Sequence, residues 1–300
     1  MRVDPNYVSN LVTSLNSVQS QQQTLSSEIS SGMRLNSLSD DPVAAGENVR
    51  LLNQIQKDDT FTESSSLVSG QLQVADSTLG QVVTQLTSAI SLATSANNGT
   101  MNSSNVKSVA NQLSGILDEV VTLANTNYQG QYIFGGTVAS QAPFSLSGST
   151  VSYAGDSGVN YLTTPNGQKI QLNVPGDQIF QGDGDTSKSV FGALTSLIND
   201  YSSGTVDTGT AVADTSALSS ALNFVSQQRV TVDNSITQLT AAGDAISSSE
   251  VELSTAQTNL VQADVASVAT QLSLTESQQT ALESVIAQLN STSNTLFSKL

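Results

Sequence analysis

The chain has 300 residues, a net charge of −16 from 25 Asp and Glu against 9 Lys and Arg, and no Cys, His or Trp. Such an acidic balance repels phosphate backbones and anionic lipid, which argues against nucleic-acid and membrane partners. The missing His and Cys remove the commonest general bases, thiol nucleophiles and zinc ligands.

Charged residues make up only 11% of the chain. Ser, Thr, Asn and Gln take their place on the polar faces, and such faces repel a neighbouring copy little. No run is apolar over the ~20 residues of a membrane span. The start, Met1-Arg2-Val3-Asp4-Pro5, has no apolar core behind its basic residue, so no cleavable secretory signal is expected.

Asp4-Pro5 reads as a helix start, Asp as N-cap and Pro at the first helical position. Val8, Leu11, Leu15, Val18, Gln22, Leu25 and Ile29 recur at steps of three and four, which predicts a helix to about Ser30, stopped by Ser31-Gly32. A loop follows over Met33 to Ser39, and Asp40-Asp41-Pro42 repeats the cap-and-proline start. The second helix is clearest along Val68, Leu72, Ala75, Leu79, Val82, Leu86, Ala89 and Ala93, with Asp58 to Ser66 expected to loosen it. Asn97-Asn98-Gly99 supplies its C-cap. A third helix carries Val106, Val109, Leu113, Ile116, Val120 and Leu123, and the short turn makes it an antiparallel neighbour of the second.

From Gln131 the period changes. Tyr132-Ile133-Phe134, Val151-Ser152-Tyr153, Tyr161 to Thr163, and Ile170, Leu172, Val174 read as short strands, with Pro165-Asn166-Gly167 as a hairpin turn. Helix returns at Val190, Leu194, Leu197 and Tyr201. A linker is expected over Ser202 to Asp214, then a long helix with rungs from Leu218 to Ile246 and a bend at Ala241-Ala242-Gly243. The final ladder is Val261, Val265, Val268, Leu272, Thr275, Gln279, Leu282, Ile286, Leu289, Ser293, Leu296 and Leu300.

The expected fold is mainly α with a small β insert: an elongated antiparallel helical bundle or coiled coil formed by the N- and C-terminal arms, with a β-rich domain projecting from the middle of the chain. Residues 1–40 would pair with 255–300 as a core layer, 41–130 and 188–254 would form a helical rod, and 131–187 the β-rich outer domain. The terminal stripes bury too little apolar surface to offset the entropy of ordering them. They are therefore expected to be disordered in the monomer and to fold as copies stack; a long intramolecular hairpin with an imperfect seam satisfies the same periodicity. Polar residues at rungs, such as Gln22 and Thr275, fix register at a cost in stability.

No catalytic, cofactor or metal site emerges. Asp183-Gly184-Asp185 lacks the spaced ligands of a calcium loop and reads as a turn. Asn98-Gly99-Thr100 and Asn290-Ser291-Thr292 fit glycosylation acceptors but arise readily in an Asn- and Ser-rich sequence.

The segment Ser30-Ser31-Gly32-Met33-Arg34-Leu35-Asn36-Ser37-Leu38-Ser39-Asp40-Asp41-Pro42 resembles the N-terminal signature of the flagellin superfamily. Tyr132-Ile133-Phe134-Gly135-Gly136-Thr137, Tyr153-Ala154-Gly155-Asp156 and Gly176-Asp177-Gln178-Ile179-Phe180 look like the hook–filament junction branch of that superfamily, and Ala263-Asp264-Val265-Ala266 is similar to its C-terminal run. The resemblance implies a structural subunit, not an enzyme, that forms a ring of identical copies. Its expected partners are a hook-side junction protein, a filament-side flagellin or cap, and an export chaperone on the C-terminal helix. It further implies secretion to the flagellum without a cleaved signal, and no cofactor. The assembly residues it points to, together with the ladders, are Leu11, Leu15, Val18, Leu25, Ile29, Arg34, Asn36, Asp40, Asp41, Val265, Val268, Leu272, Leu282, Ile286, Leu289, Leu296 and Leu300. Arg34 is expected to grip an Asp carboxylate with two prongs and Asn36 to take a tight turn, with Asp40 and Asp41 also capping a helix. A filament-forming flagellin is the alternative within this class, and a helical binding or sensor module is the alternative outside it.

Overall fold

A computed structural model describes residues 5–297. Seven helices and six short strands follow in order: α1 (Pro5–Ser31), α2 (Pro42–Asn97), α3 (Ser103–Ala124), β1 (Asn127–Tyr128), β2 (Gln131–Tyr132), β3 (Phe144–Ser147), β4 (Thr150–Tyr153), β5 (Tyr161–Thr163), β6 (Lys169–Gln171), α4 (Gly176–Phe180), α5 (Val190–Ser202), α6 (Thr208–Val261) and α7 (Val265–Phe297). Helices therefore occupy both ends of the sequence and the strands its middle. The chain divides into two compact units, one of Met1–Gln56 with Ser249–Leu300 and the other of Lys57–Ser248.

Side-chain caps set the helix starts. Asp41 accepts from the Ala44 amide at 3.0 Å, Asn102 from Asn105 at 2.9 Å and Ser189 from Gly192 at 3.1 Å. Asp207 accepts from Gly209 at 2.9 Å, and Asp264 from Ala266 at 3.1 Å. Each satisfies an amide that the first helical turn leaves without an intrahelical partner. The Asp207 cap begins α6 six residues before Asp214, so the expected linker is shorter than its composition suggests.

Two other expectations change. Asp58 to Ser66 lies within an uninterrupted α2, because Asp58, Phe61 and Ser65 share one face and are all buried. Ala241-Ala242-Gly243 does not interrupt α6; the break in this half of the chain comes at Gln262–Asp264.

On the helices, hydroxyls turn back onto the backbone. Thr78 donates to the Val74 carbonyl at 2.8 Å, Thr87 to Val83 at 2.8 Å, Thr255 to Val251 at 2.7 Å and Thr275 to Gln271 at 2.7 Å. These side chains satisfy themselves within their own helix.

In the larger unit one hydrophobic cluster joins helices and strands. Leu79, Val82 and Leu86 of α2, Leu113 and Leu117 of α3, Leu194 and Leu197 of α5, and Leu218 and Val225 of α6 pack with Phe134, Phe144, Ile170 and Phe180 of the strand region. Asp76 on α2 pairs with Arg229 on α6 through two hydrogen bonds of 2.5 and 3.0 Å. Asn97, at the end of α2, reaches Ala211 and Thr215 near the start of α6, so the two helices run antiparallel. The strands form three separate antiparallel hairpins, β1–β2, β3–β4 and β5–β6, with Phe144 opposite Tyr153 and Leu162 opposite Ile170. The β5–β6 turn is the expected one: Gly167 has φ +86° and its amide donates to the Thr164 carbonyl at 2.8 Å.

Candidate assembly site

In the smaller unit, the loop after α1 is tied to the junction of α6 and α7. Gly32, at φ +69°, ends α1 with a 2.8 Å bond from its amide to the Glu28 carbonyl. Met33 then bridges Gln262 in antiparallel pairing. The Arg34 amide donates to the Val261 carbonyl at 2.8 Å, and the Ala263 amide to Gly32 at 3.0 Å. This pairing consumes backbone groups that α6 and α7 leave open at their ends.

Arg34 sits across the knot. Its Nη1 contacts Asp41 Oδ2 at 3.2 Å and its Nη2 donates to the Leu260 carbonyl at 3.0 Å. The two-pronged grip on one carboxylate is thus not formed. One prong holds the cap of α2 and the other a last-turn carbonyl of α6, where a cation is favoured by the helix dipole. Asn36 does not adopt a left-handed turn; its side chain donates to the Met33 carbonyl at 3.0 Å. Asp40 gathers the loop by accepting from the amides of Asn36 and Ser37 at 3.0 and 2.7 Å. The Ser37 amide and hydroxyl, then the Asn36 amide, hold the Asp40 carboxyl below its ordinary value. Asp41 is lowered chiefly by the Ala44 amide and next by Arg34. Around this tied loop Leu38 is 78% and Val43 84% exposed.

α1 and α7 lie against each other in the single chain. Leu25 and Val268 are buried together with Ala263, and Ile29 and Leu272 pack at the edge of that cluster. Thr275 is buried too. Leu11, Leu15, Val18, Leu282, Ile286 and Leu289 are only half-buried. Val265 departs from the ladder: it is 48% exposed, because Asp264 starts a new helix there and resets the face. Leu300 lies outside the described residues, and Leu296 is described in its helical backbone alone. The ladder through Val261 hid the break at Gln262–Asp264. The Asp264 cap ahead of Val268 and Leu272 was the signal for it.

In the larger unit the three central motifs converge. The Phe134 carbonyl accepts from the Gly176 amide at 2.8 Å and the Tyr153 hydroxyl at 3.1 Å. The Phe134 and Phe180 rings meet edge to face at 5.4 Å. Asp156 receives the Thr137 amide at 2.7 Å, the Thr137 hydroxyl and the Gly158 amide at 3.0 Å. Gly136 has φ +74°, and a Cβ there would lie 2.1 Å from the Asp156 carbonyl oxygen. Buried Asn173, unmarked in the sequence, closes the cluster: its Nδ2 donates to the Gly136 and Gly158 carbonyls at 3.1 and 3.0 Å, and its Oδ1 accepts from Asn160 at 2.7 Å. Burial, then the charge of Asp177, pushes the Tyr153 hydroxyl up to about 12, so it remains a neutral donor. These groups fix backbone to backbone and present no nucleophile beside a base.

Among the described residues no helix is long and apolar enough to cross a membrane, and no three His, Cys, Asp or Glu side chains gather as metal ligands. Asp183 and Gly184 both take positive φ, and Asp185 caps a short 3-10 turn through the Ser187 amide.

Residues 6–139 match the family model of the bacterial flagellin N-terminal helical region. Flagellar hook-associated protein 3 of Salmonella typhimurium is 29% identical over 191 residues, 60% of each chain. That of Escherichia coli K12 is 28% identical over 180 residues, 57% of each chain. The chain therefore matches about 60% of the length of these curated relatives. In fold it is similar to a putative flagellar hook-associated protein from Vibrio parahaemolyticus, with TM-score 0.67 at 19% identity, over 74% of this chain and 100% of that one. It is also similar to the flagellar hook-associated protein 3 of Legionella pneumophila, with TM-score 0.62 at 14% identity, over 72% and 98%. The chain is thus similar to flagellar hook-associated protein 3 over about 60% of its length, and its residues 6–139 match the flagellin N-terminal helical region.

Proposed function

We propose that this chain is a structural subunit of the bacterial flagellum that joins hook to filament by associating with copies of itself through α1 and α7. One observation carries the reading: the α1–α7 seam leaves Leu11, Leu15, Val18, Leu282, Ile286 and Leu289 half-exposed, a stripe that a further helix completes. Leu38, exposed on the loop tied by Arg34 and Asp40, and Val43, exposed in the first turn of α2, extend that contact surface. On this reading 1–40 with 255–300 forms the core layer, 41–130 with 188–254 the rod, and 131–187 the outer surface. The subunit leaves the cell without a cleaved signal. A chaperone covers α7 beforehand, and the assembled ring meets a hook-side junction protein on one side and flagellin or its cap on the other.

The match to a flagellin helical region keeps a filament subunit as the second reading. One deletion strain separates the two. Loss of a junction subunit gives hooks without filaments and flagellin shed into the medium. Loss of a filament subunit leaves no such protein in the medium, and normal attached filaments overturn both.

A further inference from the structure

The chain has three methionines, Met1, Met33 and Met101, of which Met1 lies outside the described residues. Met101, in the turn between α2 and α3, is partly buried and packs against the hydrophobic cluster of the larger unit. Met33, in the loop after α1, is 46% exposed. A thioether is apolar yet nucleophilic at sulfur, and a water-borne oxidant reaches it readily only where it meets solvent.

The backbone of Met33 is tied on several sides. Its amide donates to Ser31 Oγ at 3.1 Å, its carbonyl accepts from Asn36 Nδ2 at 3.0 Å, and the residue pairs with Gln262. The root of the side chain is thus fixed while the side chain itself meets water. Leu38 and Val43 are exposed as well, so three large apolar side chains are open to solvent between Met33 and Val43.

We propose that Met33 is an oxidation site that sets how strongly copies of this chain associate; this rests on the self-association proposed above. The co-reactant is a peroxide. A sulfur lone pair attacks one peroxide oxygen, an S–O bond forms, the O–O bond breaks and the other oxygen leaves as water. Sulfur gives up two electrons and the peroxide takes them, so thioether and hydrogen peroxide become sulfoxide and water. The product is polar, and covering it means stripping its water. None of the backbone ties involves sulfur, so the loop stays in place and only its surface changes.

The full chain, folded in one arm and in concentrated urea in the other, is treated with dilute hydrogen peroxide and followed by peptide mapping that separates Met from its sulfoxide. Met33 is expected to oxidise severalfold faster than Met101 when folded, with the difference closing in urea. Equal rates in the folded chain, or a faster Met101, overturn the proposal. Self-association of treated and untreated folded chain is then compared by sedimentation. The oxidised chain is expected to associate severalfold more weakly at an unchanged melting temperature, and methionine sulfoxide reductases to restore it. Met33→Leu is expected to associate as the untreated chain does and to ignore peroxide. Oxidised and untreated chains that associate alike overturn this proposal alone, as does a Met33→Leu chain that peroxide still weakens. An untreated chain that stays monomeric at every concentration overturns the self-association itself, and this proposal with it.

Discussion

Arg34 does more by reaching a carbonyl than by pairing a charge. Its ion pair with Asp41 is half-exposed, and such pairs contribute little. Arg34→Ala is expected to cost roughly 1–2 kcal/mol, chiefly through the lost bond to Leu260. Arg34→Lys restores charge without the fork and recovers less than half of it. Hydrogen exchange at the Arg34 and Ala263 amides measures both. Asp40 and Asp41, held below the ordinary 3.8, contribute stability above that value that is lost as pH falls through their lower folded values. Their carboxyl resonances are expected to titrate below 3.8, and the loop to loosen only in acid. Asp214 behaves oppositely: burial first, then the neighbouring Asp200 carboxylate, raises it. Its protonated form favours the fold, so its own contribution to stability is greatest in acid and declines as pH rises through the folded value. Asp214→Asn should raise the melting temperature at neutral pH, with the gain vanishing in acid, as read by calorimetry.

At the scale of elements, the helices were legible because their apolar spacing is long and regular. Leu79, Val82 and Leu86 are buried together as that spacing requires. The cap Asp41 was legible for a local reason, since a cap acts within three residues of itself. The break at Gln262–Asp264 was not read, because the contact that stabilises it comes from Met33 and Arg34, more than two hundred positions away in sequence. Asn173 was missed for the same reason: its acceptors at Gly136 and Gly158 come from other segments. Asn173→Ala strands those carbonyls and is expected to cost about 2–3 kcal/mol in urea unfolding. The aromatic motifs were found as sequence likeness, whereas their physical role, rings packed edge to face over a backbone clasp, needed the fold.

For the molecule as a whole, the seam defines what concentration should do. The buried part, around Leu25 and Val268, sustains α1 and α7 near the knot, and the rungs towards their far ends are only half-buried. Helix content by circular dichroism is therefore expected to rise with protein concentration, and a chain lacking Val261 to Leu300 to stay folded from Lys57 to Ser248 but not to join the structure. Helix content that is independent of concentration, with full protection of Leu11 and Leu289, would mean that the single chain completes its own seam.

The inward-turned hydroxyls have one more consequence. A threonine already bonded to the carbonyl four residues earlier in its helix, as Thr87 and Thr255 are, gives up little hydration when another surface covers it. Contact between such alcohol-clad flanks should therefore cost little desolvation, and with a net charge of −16 on every copy it should tighten as salt screens their mutual repulsion.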